Sequence, residues 1–277
     1  LGSNQLVPCD ARLVPAPVGD PGWDTTTVPS TIATSRPRAA VLVPDFHNPT
    51  GAYMPDTQRA LVGRALARQD TLTFIDETIT EVRLDDGEDA LPFAAHHPGA
   101  ITVGSSSKSH WGGLRLGWIR ARADLLTRLV DARVTIDLGA PVLEQLVLLH
   151  LLRQSPGMPA DRREDLVRAR GAAITALRTH LPQVDFTMPA GGLSLWLRLP
   201  EATSSARVVD AAEREGLLLA GGNRFAATGT LDRRLRLPYV LSPGQLDEAV
   251  QRLARAVTIA GHTAYRPGKR TTRPLVA

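Results

Sequence analysis

Ser105-Ser106-Ser107-Lys108-Ser109-His110-Trp111-Gly112-Gly113-Leu114-Arg115-Leu116-Gly117 is the stretch that decides the reading of this chain. Lys108 is one of only two lysines in the sequence, the other being Lys269 near the C-terminus. The run Ala100-Ile101-Thr102-Val103-Gly104 ahead of it has the length and apolarity of a buried strand. Behind it, Leu114-Arg115-Leu116-Gly117-Trp118-Ile119 is a second apolar run that carries one arginine. A lysine at a strand end, flanked by serines and followed by an arginine, suits one chemistry. The amine can form a Schiff base with an aldehyde while hydroxyls and a guanidinium hold a phosphate. The competing reading is a solvent-exposed loop lysine.

Working outward, other strand ends carry polar residues of the same kind. Ala39-Ala40-Val41-Leu42-Val43 predicts a parallel strand covered on both faces, leading into the turn-rich Pro44-Asp45-Phe46-His47-Asn48-Pro49-Thr50-Gly51. A helix follows over 58–69, with apolar residues at Leu61, Val62, Ala65 and Leu66. Leu72-Thr73-Phe74-Ile75 is a further strand, ending in Asp76-Glu77. Strands alternating with helices predict an α/β fold with a mainly parallel sheet, whose ligands bind at the carboxyl ends of the strands. Asn48, Asp76 and Ser105 to Lys108 all fall there.

The flanks are plainer. Ala11 to Val18 reads as an edge strand with prolines, and 19–37 as loop. Helices are predicted from Asp124 to Val134 and from Pro141 to Gln154, the second apolar nearly all round and so expected to be buried. A break at Pro156-Gly157-Met158-Pro159 places a domain boundary near 155. Beyond it, Asp161 begins a long helix with a D-x-x-E capping pattern to Glu164. Strands over 191–199, 217–220 and 235–240 and helices over 205–215 and 243–260 make a smaller α+β domain. The division is therefore 1–155, 156–262 and a flexible basic tail over 263–277.

Composition excludes several classes. The 277 residues are 43% hydrophobic and 22% charged, ordinary for a soluble globular protein. The net charge of +4 is carried by the segment after Gly261, which holds Arg266, Lys269, Arg270 and Arg273 and no acid. The body is balanced, which argues against nucleic-acid binding by it. The single cysteine, Cys9, forms no internal disulfide, so the cytoplasm is the default compartment. No Cys/His cluster has metal-ligand spacing, and no apolar run reaches membrane-spanning length.

Taken in order, N-P-T-G at Asn48 to Gly51, Asp76 at a strand end, S-x-S-K at Ser105 to Lys108, G-x-R-x-G at Gly113 to Gly117 and a late Arg236 form a set. On that set the chain resembles the fold-type I pyridoxal 5′-phosphate (PLP) family, class I/II aminotransferases, over nearly its whole length. The wording of Pro44 to Gly51, Leu114 to Gly117 and Leu235 to Pro238 is closest to the aminotransferase-like effector domain of MocR-type regulators, which join it to a GntR-type winged helix-turn-helix. The 2-aminoadipate-type aminotransferases share much of it.

The resemblance implies an aspartate aminotransferase-like fold and a role for each residue. Lys108 would form the Schiff base and, in an enzyme, move the substrate α-proton. Asp76 would face the pyridine nitrogen and keep it protonated; its plainer role is to cap a helix after the strand. Asn48 would donate to the phenolic oxygen, or serve only the turn. Ser105, Ser107 and Arg115 would bind the phosphate, Arg115 as a fork. Arg236 would take the carboxylate of an amino acid or 2-oxo acid ligand.

Two departures stand out. Ile79 occupies a position where the family often has a tyrosine that supports the phenolic oxygen. The Gly-rich phosphate loop, the ring-stacking aromatic, a first strand and the DNA-binding domain would all precede residue 1. The expectation is therefore an N-terminally incomplete domain that holds PLP weakly when alone. A homodimer is expected, with DNA contacted only through the absent domain and no membrane association. Three functions compete: effector and dimerisation domain of a regulator, free-standing aminotransferase, and a PLP-fold remnant with no cofactor.

Overall fold

In a computed structural model the described residues are 12–18, 22–137, 139–226 and 231–262. Cys9 and the basic tail over 263–277 lie outside them. Two sheets organise the chain. The first contains β1 (Ala39–Leu42), β2 (Leu72–Asp76), β3 (Ile101–Ser105) and β4 (Gly117–Arg120) in that order. β1, β2 and β3 run parallel, and β4 returns antiparallel to β3 with Ser105 opposite Gly117. Helices α1 (Thr27–Ser35), α2 (Asp56–Arg68) and α3 (Phe93–His96) belong to this part. Trp23, Val28, Ile32, Leu42, Met54, Val62, Leu66, Ile75 and Phe93 fill its core.

The helices α4 (Ala123–Arg133), α5 (Val142–Gln154) and α6 (Ala160–His180) come next. The second sheet contains β5 (Asp185–Phe186), β6 (Ser194–Arg198), β7 (Ala220–Gly221) and β8 (Arg234–Pro238) in the antiparallel order β5-β6-β8-β7. It packs with α6, α7 (Ser205–Arg214) and α8 (Pro243–His262) around Leu166, Leu177, Leu195, Leu197, Leu235, Val250 and Leu253. Val82 and Leu84, from the loop after β2, join this second core.

Several expectations need correction. Residues 12–17 form no strand, and Val18 makes only an isolated bridge to Trp23. The loop expected over 19–37 contains α1. Asp24 starts that helix by accepting the Thr26 and Thr27 amides at 2.7 and 2.8 Å, and the apolar positions Val28 and Ile32 bury one face. β1 is covered on one face only, because Ala39 and Val41 are exposed. Asp161 lies inside the first turn of α6 rather than capping it: the N-cap is Pro159, and no side chain caps the end.

The largest difference concerns α5. Its apolar composition predicts burial, yet it has no buried residue, and Val142 and Leu143 are 70% and 71% exposed. α4 likewise buries nothing. Apolar patterning records a surface that gains by being covered. It does not record whether the described chain supplies the cover. No helix among the described residues is long and apolar enough to cross a membrane.

Candidate active site

The strand ends of the first sheet present the amine, the carboxylate and the hydroxyls together. In the register of β2 and β3, Asp76 lies opposite Val103, two residues before Ser105. Asp76 uses one oxygen to accept the Thr78 amide at 3.0 Å, so it does cap a turn. The other oxygen has no partner among the described residues. The plainer reading needs correction, because a turn and not a helix follows β2, and the oxygen that would cap a helix caps that turn.

Beyond β3 the chain turns through 106–111. The Ser106 amide and hydroxyl both donate to the Leu116 carbonyl at 3.2 Å, which ties the turn to the strand that returns. The Ser105 hydroxyl reaches the same carbonyl at 3.4 Å and accepts the Ser107 amide at 3.1 Å. Lys108 projects from this turn, exposed and without a hydrogen bond or ion pair among the described residues. The Ser107 hydroxyl is also unengaged.

Arg115 is exposed, likewise unpaired, and left-handed at φ 53°. That conformation is costly for a side chain with a Cβ. It lies between the 3-10 turn Gly112–Leu114 and β4, where the chain reverses to pair Gly117 with Ser105. Gly117 itself must be glycine, because a Cβ there would sit 2.8 Å from the Gly104 carbonyl oxygen.

Asn48 and Arg236 join the two sheets. Arg236 Nη1 donates to Asn48 Oδ1 at 3.2 Å across 188 residues of sequence. The Phe225 ring lies 5.2 Å from the Arg236 guanidinium carbon and edge-on to Trp196. Burial, reinforced by the nearby Arg224, lowers the pKa of Arg236, and its Nε is buried without a partner. A half-buried guanidinium whose buried Nε has no partner can serve an oxyanion.

The second sheet also presses on the loop that carries Asn48. A Cβ on Gly191 would meet the Phe46 ring at 2.5 Å and the Val82 carbonyl at 2.3 Å. Tyr239 holds this contact from behind by donating to the Gly192 carbonyl at 2.6 Å.

His47, beside Asn48, approaches Thr50 Oγ1 at 2.9 Å and meets Trp23 edge-on. Burial pushes its pKa down to about 4 from the ordinary 6.5. The unfolded chain then takes up a proton below 6.5 that the folded loop refuses. Stability from this group is complete above pH 6.5 and is lost as pH falls toward 4, by at most about 3 kcal/mol. Urea unfolding followed across that window should show the loss in the wild type and a smaller loss in His47→Gln. Equal pH dependence in the two would remove His47 as the cause.

The donor set fits PLP. An amine is matched to its aldehyde, hydroxyls and a guanidinium to its phosphate, a carboxylate to its pyridine nitrogen and a carboxamide to its phenolic oxygen. The open Asp76 oxygen, the free Lys108 amine and the orphan Arg236 Nε are the groups such a ligand and its substrate would satisfy.

Sequence reading misses Asp45, Arg59, Gly191 and Phe225 as supports of the site, and offers Thr80 only as a hydroxyl in place of the family's tyrosine. One signal points to them. Arg59 shares the buried stripe Arg59-Val62-Gly63-Leu66 of α2, a charged residue at a core position.

A family profile described as aminotransferase class I and II matches residues 12–253. The chain is 31% identical over 255 residues to a 2-aminoadipate transaminase of Thermus thermophilus, covering 89% of this chain and 64% of that protein. It is 28% identical over 188 residues to the HTH-type transcriptional regulator YdfD of Bacillus subtilis, covering 66% of this chain and 39% of the regulator. In structure it resembles LysN, the α-aminoadipate aminotransferase of Thermus thermophilus solved with N-(5′-phosphopyridoxyl)-L-leucine. There the TM-score is 0.80 at 30% identity over 90% of this chain and 66% of that one. The chain thus spans about two-thirds or less of the length of these relatives.

Proposed function

The chain belongs to the aminotransferase class I and II family, and from that premise we propose that it binds PLP through Lys108 as the effector domain of a MocR-type regulator. The carrying observation is the unpaired Lys108 amine at the end of β3, beside the strand end that bears Asp76. When bound, PLP supplies an aldehyde carbon and an electron-accepting ring. Lys108 Nζ would hold that carbon. Asp76 would hold the ring nitrogen, and Asn48 would donate its carboxamide N–H to the phenolic oxygen. Ser105, Ser107 and Arg115 would bind the phosphate, and Arg236 the carboxylate of an amino acid or 2-oxo acid.

In this reading 1–155 would hold PLP and 156–262 would bring the carboxylate-binding arginine. Apolar side chains exposed on α4, α5 and β4 support self-association as a homodimer. DNA contact would belong to a separate domain.

Ile79 favours the regulatory reading. It packs against the second core and carries no hydroxyl to tune the phenolic oxygen. The second reading, a PLP-dependent aminotransferase, is favoured by the similarity to the 2-aminoadipate transaminase. Titration with PLP, then addition of amino acids, separates them. Binding that amino acids perturb without turnover supports the effector role, whereas steady formation of 2-oxo acid supports the enzyme.

Arg115→Gly sharpens the same titration. Glycine accepts φ 53° without strain, so the melting temperature should hold or rise. Loss of a charge-assisted phosphate contact, about 1.5–3 kcal/mol, should weaken PLP binding roughly 10- to 150-fold. Unchanged affinity would place the phosphate elsewhere, and no PLP uptake by the wild type would leave the remnant reading.

A further inference from the structure

Asp45 and Arg59 are 2% and 1% exposed, and they form an ion pair beneath the strand ends. A buried ion pair gains little over well-packed apolar side chains, so stability alone gives no reason for one here. What such a pair supplies is direction. Arg59 Nε donates to the Met54 carbonyl at 2.9 Å, and Nη1 to the Leu91 carbonyl at 3.2 Å. Asp45 accepts Arg59 on one oxygen and the Thr80 hydroxyl, at 2.8 Å, on the other.

These contacts have a common geometry. Asp45 and Met54 bracket the loop that carries Asn48, and the Met54 amide closes it by donating to the Pro44 carbonyl at 2.8 Å. Inside it, His47 and Ala52 pair backbone to backbone at 2.8 Å, and the Gly51 amide reaches the His47 carbonyl at 2.6 Å. Thr80 belongs to the loop that leaves Asp76, four residues on. One guanidinium therefore grips both ends of the Asn48 loop, and one carboxylate ties that loop to the segment after Asp76.

We infer that Arg59, Asp45 and Thr80 form a positioning unit that fixes Asn48 relative to Asp76. In its consequence for ligand binding this rests on the proposed PLP site. Asn48 and Asp76 would address two different positions of one ring, the phenolic oxygen and the nitrogen. Neither residue is held by the other, and the unit sets the distance between them. Arg59, Asp45 and Thr80 touch no ligand themselves.

Thr80 is the place to test it, because it is exposed and its hydroxyl can be removed without opening the core. Arg59 variants leave a buried carboxylate unpaired and risk unfolding. The full chain would be compared as wild type, Thr80→Val and Thr80→Ser. Amide hydrogen exchange would be read in peptides covering 45–54 and 76–82, and PLP affinity by titration. Thr80→Val should speed exchange at His47, Gly51 and Thr78 while β6 and β8 keep wild-type protection. It should weaken PLP binding several-fold to roughly ten-fold, less than the roughly 10- to 150-fold of a lost charge-assisted contact to the ligand, because Thr80 acts only through the placement of Asn48. Thr80→Ser should restore both.

Exchange in Thr80→Val that matches wild type, or that rises uniformly over the chain, overturns the inference. So does faster loop exchange with unchanged PLP affinity. If the wild type takes up no PLP, the proposed function fails, and the exchange comparison still decides whether the unit positions the two loops.

Discussion

With Lys108 replaced by alanine, borohydride treatment of the PLP-loaded chain should leave no reduced pyridoxyl adduct, whereas the wild type should carry it on the Lys108 peptide. Elimination and geometry both lead there. Only two lysines are present, and Lys269 lies in the basic segment far from the motif set. Lys108 stands at the end of β3, exposed and unpaired, within the turn that Ser105 and Ser106 tie to Leu116. Lys108→Arg is the informative control. It keeps the positive charge near the phosphate hydroxyls, but a guanidinium does not add to the aldehyde. Non-covalent PLP affinity should therefore fall less in Lys108→Arg than in Lys108→Ala, with the adduct absent from both. If the chain turns over amino acids, both variants should lose at least roughly 100-fold, the smaller end of what a positioned acid–base group contributes. An adduct found on Lys269 would overturn the assignment.

How much of the site is legible in the sequence depends on how local each determinant is. The Asn48 turn, the Asp76 strand end and the Lys108 turn are each written in a few consecutive residues, and each lies where the sequence places it. The partner of Asn48 is not written locally. Arg236 sits 188 residues away on another sheet, and tertiary packing such as that of Gly191 against Phe46 brings the two together. Arg59 escapes a sequence reading because charged residues on helices usually face water. Its place in the buried stripe of α2 contradicts that habit, and the compensating Asp45 lies before the helix, in the loop. α1 is hidden by its threonines, serines and proline, residues of weak helix propensity, and its start depends on Asp24. α5 shows the opposite failure: a strong local pattern whose outcome depends on surfaces outside the helix.

The family assignment and the regulatory reading draw on different residues. Lys108, Asp76, Asn48 and Arg236 are what any member handling an amino acid through PLP would need. Ile79 would bear on the fate of the ligand under the proposed reading. A hydroxyl beside the phenolic oxygen would help set how readily the ring system takes up and gives back protons. An isoleucine packed into the second core instead links that position to the sheet that carries Arg236. A ligand at Arg236 and the packing at Ile79 would thus act on the same second core. A domain that reports binding requires such a connection.

Asp76 should separate binding from chemistry most cleanly. Its carboxylate would have two tasks: one oxygen caps the turn at Thr78, and the other, without a partner among the described residues, would take the proposed ring nitrogen. Asp76→Asn keeps an oxygen for the Thr78 amide, so the fold should lose little. It removes the negative charge, and with it the Coulomb term that favours a protonated ring, about 4 kcal/mol at 4 Å in a medium of effective dielectric 20. Part of that term is offset by desolvation of the carboxylate, so PLP affinity should fall roughly ten-fold or more, and any turnover by at least about 100-fold. Asp76→Ala should match those losses and add a stability cost of about 1 kcal/mol from the lost cap. PLP titration, 2-oxo acid formation and urea unfolding on the two variants read these terms separately. The open oxygen predicts that Asp76→Asn and Asp76→Ala agree in affinity and differ in stability. Wild-type affinity in both, with the stability difference retained, would mean that Asp76 only serves the turn and that another group faces the nitrogen.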